Sequence, residues 1–190
     1  MQLNTTGFTP PVPMGGFLDP QKIVDSLGIL PGMRAADFGS GAGHFTILLA
    51  KAVGETGVVT AVDILSSALE TLKAKAKIDN LNNIETVRSN LEMPGGSGLA
   101  NDSEDLVLLA NTLFQNPNKE LIIEEARRVL KPEGSLVVIE WRKGAGGFGP
   151  PDNLRTDPEE MHRIIGEKGF EFADAIDTGS FHYGMLFKKL

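Results

Sequence analysis

Two short runs limit the fold more than anything else in the chain: LVLLA at 106–110 and LVVIE at 136–140. Each has the length of a strand and is aliphatic at every position until the glutamate that closes the second. A strand apolar on both sides must be covered on both sides. A mainly parallel sheet between two layers of helices does this.

The rest of the chain supplies the matching rhythm. RAADFG (34–39) is a short strand, GHFTILLAKAV (43–53) a helix ended near Gly54, and GVVTAVDI (57–64) a β-branched strand. Ser67 and Glu70 read as a capping box opening the helix SALETLKAKAKI (67–78). NIETVRSN (83–90) is a weaker third strand and EDLVLLAN (104–111) a fourth. Asn116-Pro117 is expected to cap the helix NKELIIEEARRVL (118–130), and Pro132-Glu133-Gly134 to turn the chain into the strand SLVVIEW (135–141). FEFADAID (170–177) and HYGMLFKK (182–189), joined through Gly179, predict an antiparallel hairpin at the end of the sheet. The expected fold is α/β: a Rossmann-like open twisted sheet of seven strands, mainly parallel with an antiparallel C-terminal hairpin strand, helices on both faces.

Two helices flank this pattern. Asp19-Pro20 and Asp157-Pro158 each place a capping acid before a proline at the first helical position. Residues 1–18, rich in Pro, Gly and Thr, read as an extended arm, and residues 19–190 as a single domain. The stretch 142–156 is Gly- and Pro-rich and reads as irregular.

Composition narrows the function. The 190 residues include no cysteine, which excludes disulfides, thiolate metal sites and a cysteine nucleophile. The three histidines lack the spacing of a metal site. A net charge of −7 argues against sequence-blind nucleic-acid binding. No apolar run approaches the roughly 18 residues of a membrane span, and the N-terminus lacks the pattern of a signal peptide. A cytoplasmic protein is expected.

Between the first strand and its helix lies DFGSGAGHFT (37–46), with Gly39, Gly41 and Gly43 at every second position. A strand, a glycine-rich turn and a helix present backbone N–H groups to a ligand. The run lacks the Lys-Ser/Thr ending of a phosphate-binding P-loop. It also fails the G-x-G-x-x-G dinucleotide pattern, because His44 stands where the third glycine should be. Asp63, twenty residues beyond Gly43, ends an apolar strand where a carboxylate can take both hydroxyls of a ribose. The combination points to a nucleoside ligand without a pyrophosphate.

These segments together resemble the class I S-adenosylmethionine-dependent methyltransferases. AADFGSGAGHFT is similar to the first motif of that family, VVTAVDI to its second, DLVLLANTLFQ to its fourth and RRVLKPEGSLVVIEW to its fifth, in the same order. Within the family the chain resembles the small ubiquinone and menaquinone biosynthesis branch. The resemblance implies S-adenosylmethionine as cofactor and S-adenosylhomocysteine as product. It implies that Gly39, Ser40, Gly41 and Gly43 approach the methionine part, with Asp37 beneath holding its amino end. Asp63 would bind the ribose, Ile64 would lie against adenine, and Asn90 beside Leu91 would meet the adenine amino group. Ala110 and Asn111 would flank the sulfonium and ammonium.

The acceptor is less legible. His44 is either a base or a helix-start side chain, and Trp141, Phe114 and Phe148 either pack or stack on an acceptor. A small-molecule acceptor is expected, quinone-like or an amine. A homodimer closing the acceptor site is one arrangement, and a protein or RNA acceptor is the alternative. Nucleic acid is disfavoured by the charge and by the lack of a [DNS]-P-P-[YFW] run after the fourth strand. A module that binds the cofactor without turnover is the competing class, and a dinucleotide or nucleotide-sugar enzyme the weaker third.

Overall fold

A computed structural model describes residues 15–190. The expectation of an arm over 1–18 lies outside the described residues for positions 1–14.

The elements follow the predicted alternation. In chain order they are α1 (Pro20–Ser26), β1 (Arg34–Phe38), α2 (His44–Val53), β2 (Val58–Asp63), α3 (Ser66–Ile78), β3 (Ile84–Arg88) and β4 (Glu104–Ala110). Then come α4 (Lys119–Val129), β5 (Leu130–Trp141), α5 (Pro158–Glu167), β6 (Phe170–Ile176) and β7 (His182–Lys189). A single-turn 3-10 helix, Leu113–Gln115, lies between β4 and α4.

The seven strands form one sheet in the order β3-β2-β1-β4-β5-β7-β6. Strands β1 to β5 pair in parallel, and β7 runs antiparallel to both β5 and β6. The reversed strand is therefore inserted between β5 and the edge strand β6. After β3 the chain returns to the middle of the sheet and places β4 beside β1. That reversal opens a crevice at the carboxyl ends of β1 and β4, where ligands bind in open α/β sheets.

Alternation along the strands builds the two layers. Ala36 and Phe38 of β1 join Val107 and Leu109 of β4 and Val138 of β5 under α4 and α5, whose Ile122, Ile123, Met161 and Ile165 close that face. Ala35, Val59, Leu108 and Ile139 point the other way, onto Ile23 and Val24 of α1 and Leu49, Ala50 and Val53 of α2. Leu69 and Leu72 of α3 cover Ala61 on that same side. Burying a side chain of this kind contributes roughly 1.5–3 kcal/mol.

Two of the four expected caps are as read. Asp19 accepts the Gln21 and Lys22 N–H groups, and Asp157 those of Glu159 and Glu160. The other two differ. α3 begins at Ser66 after Leu65, with no side-chain cap bond, so Ser67 lies inside the helix. Asp63 stands in by accepting the Leu65 N–H at 2.8 Å. α4 begins after Asn118, and Glu92 takes the Asn118 N–H at 3.0 Å. Asn116 instead folds its amide back onto the Thr112 carbonyl at 2.6 Å. The expected turn at Pro132-Glu133-Gly134 is absorbed into β5 as an irregularity. Leu130 pairs with Glu104 and Ser135 with Leu106, and Glu133 bulges between them at φ 63°.

Candidate functional site

The glycine loop leaves β1 and enters α2. Gly39 and Ser40 both donate to the Val62 carbonyl, at 2.8 and 3.2 Å, and this fastens the loop to the end of β2. All three glycines have positive φ. Their surroundings differ. A Cβ on Gly39 would collide with the Thr112 side chain, and one on Gly43 with Leu72 of α3. A Cβ on Gly41 would meet nothing within 4 Å. Gly39 and Gly43 are thus required by the protein's own packing, and Gly41 faces open space.

Asp63 ends β2 and locks this loop. Its Oδ2 accepts the Gly41 N–H at 2.8 Å and its Oδ1 the Leu65 N–H at 2.8 Å. Each oxygen keeps a lone pair, and the residue is half-buried. The carboxylate is therefore fixed before any ligand arrives. Ile64 beside it is 57 % exposed, a large apolar side chain left at the crevice.

Asp37 sits behind the loop, 2 % exposed. Its Oδ2 accepts the Thr46 hydroxyl at 2.6 Å. Gly43, at the N-cap of α2, makes no side-chain cap bond, so Asp37 serves the first turn of that helix from inside. Burial pushes its carboxyl up to about 6; the bond from Thr46 lowers it and the charge of Asp63 adds to the rise.

A cleft of about 500 Å³ opens at the carboxyl ends of β1, β2 and β4. Seven of the eleven residues picked from the sequence line it: Gly39, Gly41, Asp63, Ile64, Asn90, Leu91 and Asn111. Asp37, Ser40, Gly43 and Ala110 do not. Asp37 and Ser40 lie buried behind the wall, Gly43 is turned against Leu72, and Ala110 is the last residue of β4. Asn90 is exposed, and its Oδ1 accepts the Glu92 N–H at 2.9 Å, so that oxygen already shapes its own turn.

Asn111 carries the backbone signature of a site. It has φ 56°, a left-handed conformation uncommon outside glycine, and donates its N–H to Ile139 at 2.8 Å. Its Oδ1 is buried without a partner among the described residues, as is the Ser40 Oγ. Buried polar oxygens left unpaired beside a cleft are what a polar ligand would satisfy.

Other lining residues escaped the sequence reading. Leu65, Ser89, Glu92, Thr112, Gln115, Asn116 and Ile122 complete the wall. Leu65, Ser89, Glu92 and Thr112 each adjoin a residue that was read, so the strand ends marked their position; Gln115, Asn116 and Ile122 had no such marker. Glu140 is different in kind. It is fully buried at the end of β5, and its Oε1 accepts the Thr112 N–H at 2.8 Å and the Leu113 N–H at 2.6 Å. Burial pushes its carboxyl up to about 7 against the lowering pull of those N–H groups. The one signal for it was a charge at the end of an otherwise aliphatic strand.

Past β5, at the same edge of the sheet, the character turns aromatic. Trp141 packs at a tilt of 38° against the buried ring of His182, with centroids 4.0 Å apart. Phe17, Phe148 and Phe181 contact one another with centroids 5.2–5.9 Å apart, Phe17 being 71 % and Phe148 58 % exposed. Buried Arg155 organises the loop beneath by donating to the carbonyls of Arg142, Gly146, Phe148 and Pro150. His44, weighed above as a base, is exposed at the start of α2.

Comparison with known proteins agrees with this geometry. A family profile described as a methyltransferase domain matches residues 29–173. The ubiquinone/menaquinone biosynthesis C-methyltransferase UbiE of Shewanella pealeana is 35% identical over 124 residues, 63% of this chain and 47% of that protein. The demethylmenaquinone methyltransferase of Staphylococcus aureus (strain MRSA252) is 34% identical over 121 residues, 63% of this chain and 48% of that one. The chain therefore spans about half the length of the curated relatives it matches. The crystal structure of a SAM-dependent methyltransferase from Aquifex aeolicus superposes with a TM-score of 0.83 at 27% identity, over 92% of this chain and 91% of that one. With a profile match across most of its length and a fold of the same topology, the chain belongs to the methyltransferase domain family.

Proposed function

We propose that the protein transfers a methyl group from S-adenosylmethionine to a small-molecule acceptor. One observation carries the reading. At the crevice between β1 and β4, a pre-fixed carboxylate, an exposed aliphatic side chain and the unpaired buried oxygen of Asn111 surround a glycine whose Cβ position is open. These match, in turn, a ribose diol, a purine face, a polar amino-acid tail and the close approach of a ligand. The donor set fits the cofactor.

Bound there, S-adenosylmethionine supplies a methyl group already activated by its sulfonium. The chain's own task is to orient and to exclude water. Asp63 would hold the ribose hydroxyls, while the Gly41 and Leu65 N–H groups keep its plane fixed. Ile64 and Leu91 shield the base from water. Asn111, which lines the cleft, would offer its unpaired Oδ1 to the methionine portion. Asp37 adds negative charge behind the loop, toward an ammonium. Asn90, through its amide nitrogen, is left for the base edge.

The acceptor would lie on the β5 side, against the aromatic residues at that edge. The exposed aromatic rings there favour an aromatic acceptor of quinone-like kind, in line with the quinone chemistry in the names of the two curated relatives. The net charge of −7 disfavours nucleic acid. Among the described residues no helix is long and apolar enough to cross a membrane. On this reading residues 19–190 act as one domain, in the cytoplasm, with the acceptor side closed by the preceding residues or by a second copy of the chain.

The test is calorimetric titration of wild type and Asp63→Ala with S-adenosylmethionine, S-adenosylhomocysteine, NAD and ATP. Binding of the two sulfur nucleosides alone, weakened at least tenfold in the variant, is expected. Failure to bind either overturns the reading. Binding without turnover across aromatic and amine acceptors would favour a non-catalytic cofactor-binding module instead.

A further inference from the structure

Glu140 is a buried ionisable group beside the cleft that the cofactor contacts above leave without a task. It is the last residue but one of β5, on the α4 and α5 face, and is 0 % exposed. One of its oxygens, Oε1, receives two successive N–H groups, Thr112 and Leu113, at the start of the 3-10 turn Leu113–Gln115. The other, Oε2, has no partner among the described residues.

What the carboxylate grips leads directly into the cleft. Thr112 donates its hydroxyl to the Phe38 carbonyl at 3.0 Å, at the end of β1. The same side chain fills the space where a Cβ on Gly39 would stand. Asn111, immediately before, is held at φ 56° by its bond to Ile139, the residue before Glu140. The end of β5 thus fixes the turn after β4, and that turn fixes the glycine loop. Without the carboxylate, two N–H groups lose their acceptor, and the left-handed Asn111 is held from β5 by its bond to Ile139 alone.

We propose that Glu140 is a positioning residue of the cofactor cleft, holding Asn111 and Thr112 in the arrangement that receives the ligand. It touches neither cofactor nor acceptor and acts through the turn. The inference rests on the methyltransferase reading. Ionised, the carboxylate makes charge-assisted bonds to the turn, stronger than those of the neutral acid. Ligand affinity is therefore expected to rise with pH as Glu140 ionises. The titratable groups facing it are Lys119 at the start of α4, which favours the charged form, and Tyr183 on β7, whose hydroxyl is raised by burial and stays neutral. Asp37 titrates near the same site, so a variant must be compared with wild type at each pH.

The experiment is titration with S-adenosylhomocysteine between pH 5.5 and 8.5 on wild type, Glu140→Gln, Glu140→Leu and Thr112→Val. Unliganded thermal unfolding is recorded in parallel. Wild-type affinity is expected to rise about threefold to tenfold through pH 7. Glu140→Gln retains an acceptor oxygen, so it should bind within a few-fold of wild type and lack the rise near pH 7. Glu140→Leu should lose about tenfold or more, and Thr112→Val several-fold, and a variant combining Glu140→Leu with Thr112→Val should lose less than the two effects added. A Glu140→Leu variant that binds within twofold of wild type overturns the proposal. So does a Glu140→Gln profile that parallels wild type, and this second criterion holds even if the leucine variant does not fold. Wild type that binds no ligand at any pH overturns the methyltransferase reading itself. Wild type that binds while the variants are indifferent overturns this inference alone.

Discussion

Three glycines in one loop look equivalent in the sequence and are not. Two are shaped by neighbours that arrive from far along the chain, Thr112 after β4 and Leu72 on α3, and the third by open space at the cleft. Their shared spacing was legible because a tight turn demands it; the division of labour depends on tertiary contacts that no local pattern encodes. Asp37 teaches the same lesson. It was read as an anchor for the cofactor's amino end, and its direct partner in the structure is the Thr46 hydroxyl. Its buried carboxyl, raised from 3.8 to about 6, makes a testable statement about stability. In the folded chain the proton is held between those two values, where the unfolded chain has released it. The stabilising contribution is complete below pH 3.8 and lost as pH rises through about 6. Asp37→Asn cannot titrate but can still accept from Thr46. Wild type should therefore lose stability relative to this variant between pH 4 and 7, by up to about 3 kcal/mol. Urea unfolding of both proteins across that range measures the difference, and parallel curves would refute the account.

Element boundaries were read well where the signal was a side-chain cap and poorly where the capping group came from elsewhere. Asp19 and Asp157 cap the helices they precede, because each sits directly before its first turn. α3 and α4 start where Asp63 and Glu92 put them, and both of those residues belong to the cleft. Both helix starts beside the site are thus set by site residues; Asp63 lies only two residues before Leu65 and is within reach of a local rule, whereas Glu92 lies 26 residues before Asn118 and is not. The strand β5 shows another departure. Its proline-glycine signal was read as a turn, yet the ladder continues past it on both sides. Exposed Glu133 takes the left-handed conformation at φ 63° within that irregularity. A residue with a Cβ pays about 1–2 kcal/mol there that glycine does not, partly offset by the greater freedom of glycine in the unfolded chain. Glu133→Gly is expected to stabilise by about 1 kcal/mol, seen as a rise in Tm of roughly 2–4 °C. An unchanged or lower Tm would mean that the Glu133 side chain contributes contacts that compensate for its backbone.

The order of the sheet divides the molecule into two working halves. The cleft is assembled from the ends of β1, β2 and β4 and the residues just after β3, all on one side of β5. The aromatic residues gather where β5 ends at Trp141 and β7 begins at His182, with Phe148 and Phe181 from the intervening chain and Phe17 from before α1. Strand number, direction and sidedness could be read from the sequence, because apolar runs and helix periods report burial. The insertion of β7 between β5 and β6 could not, because a hairpin satisfies the same local pattern wherever it docks. That insertion matters for chemistry: it brings Phe181 and His182 beside Trp141 and Phe148, and so forms the wall on which we place the acceptor. If the halves are separate in function as in space, they separate under mutation. Phe148 is 58 % exposed, so its loss should leave folding nearly unchanged. Phe148→Ala is expected to keep S-adenosylhomocysteine affinity within about twofold while raising KM for an aromatic acceptor about tenfold, equivalent to about 1.4 kcal/mol of lost binding. Asp63→Ala should do the reverse, weakening the cofactor and leaving the acceptor KM at saturating cofactor near that of wild type. A methyl-transfer assay on hydroquinone-type acceptors, with both ligands varied, distinguishes the two. Loss of cofactor affinity in Phe148→Ala would show that the aromatic wall belongs to the cofactor side, and the acceptor would then have to approach from another direction.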